Sequence, residues 1–195
     1  QAGYLTIDKV IQKRNGRKEV LDITKIQKNT IAATQDLEGV SQSELEIDAQ
    51  IKFIDGMSSA DIQDALIKTA VEKIDIDVPN WTFVAARLFL YDLYHRVGKV
   101  THGIKGNAYG HLKDYIKYGQ EIGRIIPELQ DGYDLDDLNN KIDYTRDLQF
   151  NYLGIKTLYD RYLIKNSDGE PIELPQQMFM AIAMFLAQKE QNRQE

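Results

Sequence analysis

Val10-Ile11-Gln12-Lys13-Arg14-Asn15-Gly16-Arg17-Lys18-Glu19-Val20-Leu21 reads as two short strands around a tight turn. Asn-Gly between such runs is a strong hairpin signal, because a type I′ turn needs positive φ at both central residues. That turn predicts a register in which Arg14 faces Arg17, Lys13 faces Lys18, Gln12 faces Glu19 and Ile11 faces Val20. Two like-charged pairs then sit opposite each other, which is unfavourable. The crowding of Lys13, Arg14, Arg17 and Lys18 has two readings. It is a solvated tip kept soluble by its charges, or a cradle for a polyanion such as a triphosphate, whose oxygens accept charge-assisted hydrogen bonds.

Downstream of the hairpin the pattern is helical. Asp22-Ile23-Thr24-Lys25-Ile26 opens a helix with an acceptor near its start, running to about Leu37 and stopping near Gly39. Ser41-Gln42-Ser43-Glu44 is a capping box, with Val40 and Leu45 at staple positions. Asp55-Gly56 breaks that second helix. Ser58 or Ser59 caps a third, with Ile62, Leu66, Ala70 and Ile74 on one stripe. Pro79 and Asn80 start a fourth, lined by Trp81, Val84, Ala85, Leu88 and Tyr91 and ended by Gly98. A glycine-marked connection over Thr101–Gly110 suggests a boundary near residue 100, giving domains 1–100 and 101–195. Beyond it the spacing predicts helices around Leu112–Ile122 and Arg146–Tyr162, and a short hairpin around Asn166-Ser167-Asp168-Gly169. A last helix starts at Pro175, with Met178, Ala181, Ile182, Phe185 and Leu186 as its apolar face. The expected fold is mainly α with a small β element. The start without Met and the polar finish suggest a processed or cut chain.

Composition narrows the chemistry. In 195 residues, 43% are hydrophobic and 28% charged, which describes a soluble globular protein and not a disordered tail. The 24 Lys and Arg against 30 Asp and Glu give a net charge of −6, which argues against a general nucleic-acid or membrane-surface binder. The absence of cysteine removes disulfides, zinc ribbons, iron–sulfur clusters and thiol catalysis. Three scattered histidines make no metal motif, and no apolar run reaches membrane-spanning length. A cytoplasmic setting is the default expectation.

Two further features carry possible chemistry. In Asp55-Gly56-Met57-Ser58-Ser59-Ala60-Asp61, a glycine turn leads into hydroxyls at a helix start, where free amides at the positive dipole end suit either a phosphate or ordinary capping. In Ala85-Ala86-Arg87-Leu88, small residues allow close helix approach, and the arginine is expected to pair with a carboxylate. The carboxylates Asp134, Asp136, Asp137, Asp143 and Asp147 read as caps and solvated faces. No catalytic constellation is visible.

Taken in order, these residues resemble a known family. Val10-Ile11-x-Lys13-Arg14-Asn15-Gly16 with Glu19 and Asp22-x-x-Lys25-Ile26 looks like the opening of an ATP-cone. Asp55-Gly56-x-x-Ser59-x-x-Ile62, Pro79 and Ala85-Ala86-Arg87-Leu88 follow at the family's spacing. Asp143–Asp147, Tyr152, Tyr162-Leu163 and Pro175-x-x-Met178 resemble the helical region of the class I ribonucleotide reductase large (alpha) subunit. The resemblance implies a β-hairpin lid over a four-helix bundle, then a helical domain with a short hairpin. It implies binding of ATP or dATP, with magnesium, as an allosteric effector of ribonucleoside diphosphate reduction.

Position by position, Lys13 matches a phosphate-contacting lysine and Arg14 its cationic neighbour. Glu19, Val20, Leu21, Asp22, Ile23, Thr24 and Lys25 match the stretch that wraps base and ribose. Asp22 would accept from the adenine amine, with Ile23 and Ile26 walling the base. Ser59 replaces a threonine. Two departures stand out: Gln63 where some relatives have histidine, and His95 where a phosphate-contacting lysine is common. The implied partners are adenine nucleotides, the rest of the large subunit and the small (beta) radical-generating subunit, with no nucleic acid and no membrane. Two alternatives stay open: a degenerate cone acting as a helical subunit-interaction module, and a cone from a nucleotide-responsive repressor. The missing zinc ribbon and the acidic charge disfavour the second.

Overall fold

The computed structural model describes residues 10–12, 16–101 and 109–195. Strands β1 (Val10–Gln12) and β2 (Lys18–Val20) precede helices α1 (Ile23–Thr34), α2 (Gln42–Gln50), α3 (Ser59–Glu72) and α4 (Trp81–Thr101). Then come α5 (Leu112–Glu121), α6 (Leu135–Lys141), a 3-10 turn at Tyr144–Gln149, α7 (Tyr152–Arg161) and α8 (Pro175–Ala187). The chain groups into two compact units, Gln1–Phe89 with Phe150–Ile155, and Leu90–Gln149 with Lys156–Glu195.

In the first unit the hairpin forms, in a register one residue away from the expected one. Val10 pairs with Val20, Ile11 with Glu19 and Gln12 with Lys18, antiparallel. Five residues, 13–17, separate Gln12 from Lys18, an odd number where the expected register has an even one, and the Asn15 of the expected turn lies outside the described residues. Lys18 therefore faces Gln12 and not Lys13. The cause is a second ladder on the other edge of β1. The Gly56 amide donates to the Val10 carbonyl (2.8 Å), and the Gln12 amide donates to the Met57 carbonyl (3.0 Å). The Val10 amide donates to Asp55 Oδ1 at 2.9 Å. Gly56 permits this path with φ of 81°, a conformation that costs other residues a Cβ clash. Ile11, at 4% exposure, fixes which side of the strand meets the core.

Beneath the hairpin, Ile26 and Ala33 of α1, Leu45 and Ala49 of α2, Leu66 and Ala70 of α3, and Trp81, Val84, Ala85 and Leu88 of α4 are buried. Three of these helices start with side-chain caps: Asp22 accepts from the Thr24 amide, Ser41 from Glu44, and Ser58 from Asp61. The box at Ser41 is half made, because the Glu44 carboxylate reaches Lys73 (2.7 Å). Arg87 corrects its expectation. Its Nη1 donates to the Gln35 carbonyl at 2.7 Å and the Ala33 carbonyl at 3.4 Å, so it caps the end of α1 rather than meeting a carboxylate. Ile74 lies past the end of α3 and is exposed.

The second unit centres on Leu112, Tyr115, Ile116, Ile125, Leu129, Leu138 and Met184, with Met180 and Ala181 packed against them. Asp147, fully buried, accepts from Tyr94 Oη (2.6 Å), Tyr109 Oη (2.5 Å) and Gln176 Nε2 (2.9 Å). Glu173 accepts from Tyr115 Oη and from the Ile164 amide (2.7 Å).

Four expectations change. Gly98 does not end α4, which runs on to Thr101, since one buried glycine costs a helix only about 1 kcal/mol. The helix expected over Arg146–Tyr162 is broken: a 3-10 turn ends at Gln149, and Asn151 Oδ1 accepts from the Gly154 amide (2.7 Å) to restart α7. Ile182, Phe185 and Leu186 of α8 face outward rather than into the core. The hairpin near Gly169 condenses to one bridge, Lys165 with Pro171.

Candidate nucleotide site

The candidate site is assembled where β1 meets the start of α3. Because Gln12 is bridged to Ser58 in parallel fashion, the strand that leads into the cationic turn runs beside the first turn of α3. The turn's Lys13 and Arg14 lie outside the described residues, whereas Arg17 and Lys18 beyond it are exposed.

At the helix start, Ser58 is the N-cap and Ser59 the first helical residue. The Ser58 hydroxyl accepts from the Asp61 amide (3.0 Å) and donates to Asp61 Oδ2 (2.6 Å), which also accepts from the Ser58 amide (3.1 Å). These bonds hold the Asp61 carboxyl below its ordinary value of 3.8, the Ser58 hydroxyl first and its amide second. The amides of Ser59 and Ala60, in the first turn, have no partner within the helix. They lie at the positive end of a 14-residue helix, a fit for an anion. Asp61 opposes that fit with a fixed negative charge one turn in.

Across the hairpin, Glu19 and Val20 are exposed and Leu21 is buried. Asp22 caps α1 through Oδ1, 3.0 Å from the Thr24 amide, and its Oδ2 lies 3.9 Å from Lys25 Nζ. One carboxylate oxygen is therefore committed to the helix and the other remains for an outside donor. Ile23 is half-buried and Thr24 and Lys25 are exposed, while Ile26 is buried in the helical core and forms no part of a surface wall. Gln63 is tied to the Leu88 carbonyl (2.9 Å), joining α3 to α4. His95 is exposed on the stretch of α4 that belongs to the second unit, so its assignment rests on the resemblance alone.

Sequence reasoning missed Asp55, whose carboxylate anchors β1, and the reciprocal role of Asp61. The Ser58-x-x-Asp61 spacing was a visible signal for the latter. Asp55 gave none, because its partner is 45 residues away. Among the described residues no group of three His, Asp or Glu side chains could hold a metal ion, and no helix is long and apolar enough to cross a membrane.

Comparison with known proteins gives two family matches, "ATP cone domain" over residues 9–96 and "Ribonucleotide reductase, all-alpha domain" over residues 148–195. The chain is 61% identical over 181 residues to the ribonucleoside-diphosphate reductase subunit alpha of Helicobacter pylori, covering 93% of this chain and 22% of that protein. It is 39% identical over 144 residues to the Chlamydia muridarum subunit alpha, covering 72% and 14%. It is 30% identical over 186 residues to the Escherichia coli reductase 1 subunit alpha, covering 91% and 23%. The chain thus spans less than a quarter of the length of these relatives.

Proposed function

We propose, from the premise that the chain belongs to the ribonucleotide reductase large-subunit family as its ATP-cone-bearing N-terminal region, that it is an allosteric sensor of adenine nucleotides. Residues 1–100 form the sensing module in this reading, and 101–195 the helical region that joins it to the rest of the subunit. ATP or dATP, with magnesium, is the effector. Lys13 and Arg14 would neutralise its phosphates together with the first amides of α3 at Ser59. Glu19 through Lys25 would flank base and ribose, with the uncommitted oxygen of Asp22 accepting from the adenine amine.

The observation that carries this reading is the double pairing of β1, which ties the strand just before the cationic run to the start of α3 within the stretch matched by the ATP cone. Reduction of ribonucleoside diphosphates would belong to parts of a large subunit outside this cysteine-free stretch, acting with a small radical-generating subunit in the cytoplasm.

Calorimetric titration with ATP and dATP in magnesium tests the proposal. Lys13→Ala is expected to weaken both nucleotides by about 1.5–3 kcal/mol, the scale of a charged hydrogen bond. No heat from the native chain at sub-millimolar nucleotide would overturn the sensing role and favour a helical interaction module.

A further inference from the structure

Tyr91, Tyr94, Tyr109 and Tyr144 meet ring to ring within the second unit. The ring centres of Tyr91 and Tyr94 lie 6.5 Å apart, those of Tyr94 and Tyr109 5.7 Å, and those of Tyr109 and Tyr144 5.7 Å, the last pair stacked with planes 22° apart. Tyr144 opens the series to solvent at 58% exposure, whereas Tyr94 is closed off at 8%. Ring contacts alone are ordinary packing. What sets this group apart is Asp147, a fully buried carboxyl whose three hydrogen bonds come from neutral donors. Two of those donors, Tyr94 Oη at 2.6 Å and Tyr109 Oη at 2.5 Å, meet the same oxygen, Oδ2. Taking a carboxylate out of water is costly, and neutral donors offset only part of that cost. The nucleotide-sensing reading makes no use of it.

A phenol gives up one electron readily only when its proton has a destination, because the protonated radical is a very strong acid. A base within hydrogen-bond reach is that destination. We propose that Tyr94 and Tyr109 are a redox-active pair with Asp147 as their shared internal base, reached from the surface through Tyr144 and loaded by a one-electron oxidant such as an oxygen-derived radical. The oxidant takes one electron from Tyr144, whose proton leaves to water. Tyr109 then passes an electron to Tyr144 and its phenol proton to Asp147 Oδ2, while Tyr144 takes a proton back from water. The products are a neutral Tyr109 radical, an uncharged Asp147 carboxyl and the oxidant reduced by one electron. Tyr94 exchanges the radical with Tyr109 by giving its proton to Asp147 as Asp147 returns one to Tyr109. Burial raises the Asp147 carboxyl above 3.8, and burial with the Asp147 charge raises both hydroxyls above 10.0. The protons therefore rest on the tyrosines, and the carboxylate is a stronger base than an exposed one.

Flash photolysis of the whole chain tests this, with a ruthenium tris-bipyridyl complex as photo-oxidant and persulfate as electron acceptor. Transient absorption follows the phenoxyl radical, and high-field electron paramagnetic resonance reports the hydrogen bond to its oxygen. The native chain is expected to give one narrow, hydrogen-bond-shifted signal, with the uncharged Asp147 carboxyl as donor, beside the broad signal of water-exposed radicals. Tyr94→Phe with Tyr109→Phe keeps the rings and removes both hydroxyls, and should abolish the narrow signal while the broad one stays. Asp147→Asn should slow formation of the narrow signal by about a hundredfold, the lower end of general-base catalysis. Tyr144→Phe should slow it as well, by removing the surface entry. A native chain that yields only the broad signal overturns the proposal, and this spectrum decides even where a variant fails to fold. A narrow signal that survives in the double variant overturns it too, since the radical would then sit on another tyrosine. So does formation at the native rate in a folded Asp147→Asn chain, which would leave Asp147 a packing residue only.

Discussion

Asp22 does two jobs with two oxygens, and a useful substitution has to separate them. Oδ1 holds the Thr24 amide at 3.0 Å and so starts α1. Removing the side chain with alanine would cost a cap, about 1 kcal/mol, and confuse folding with recognition. Serine keeps an N-cap acceptor and loses the second oxygen. Asp22→Ser is therefore expected to leave the urea midpoint nearly unchanged while weakening adenine nucleotides more than guanine nucleotides. An equal loss for both would reject base reading by Asp22. Ser58 presents the simpler case. Its hydroxyl serves the Asp61 amide and carboxylate together, so Ser58→Ala should destabilise the chain by about 1–2 kcal/mol, as measured by denaturant unfolding. A shift under a few tenths would show that the box adds nothing to α3.

Elements written in local chemistry were legible in the sequence, and those set by distant partners were not. Asp22, Ser41 and the Ser58/Ser59 start each announce a helix with an acceptor, and Pro175 opens α8 at its first turn. The register of β1 and β2 was misread because half of it is dictated by residues 55–58, which no turn rule for Asn15-Gly16 can sense. Arg87 was misassigned for a similar reason, since the carbonyls it caps lie more than 50 residues earlier. Of the candidate site, its cations and its helix start were readable, while the strand anchor at Asp55 was not. A close approach in the second unit makes a further check. A Cβ at Gly119 would press on Ile125, with Cγ1 only 2.6 Å away and its β-branched side chain poorly able to yield. Gly119→Ala should cost about 1–3 kcal/mol by overpacking between α5 and the segment after it. Thermal unfolding of the variant measures this, and an unchanged midpoint would mean that Ile125 repacks freely.

Over the whole molecule, acid acts in two directions. Asp61, Asp137 and Asp143 are held below the ordinary aspartate value, chiefly by side-chain hydrogen bonds from Ser58, Gln194 and Thr145, so their contributions are lost as pH falls. Asp147 is the reverse. Burial raises it above 3.8 against the pull of the Tyr109, Tyr94 and Gln176 donors. A carboxyl raised in the folded state binds more protons folded than unfolded, so its contribution to stability declines as pH rises from 3.8 through its folded value. The stability of the native chain relative to Asp147→Asn should therefore fall across that window, as followed by urea unfolding at a series of pH values. A difference independent of pH would contradict the assignment. The clasp on β1 has one more effect. With its neighbour β1 paired on both sides, β2 is the edge of the two-stranded sheet among the described residues and carries the charges of Lys18 and Glu19. Such charges discourage lateral stacking of strands from other molecules. Removing the charge of Lys18 would lower that guard, so the tendency of separate molecules to stack is set in large part by a single side chain.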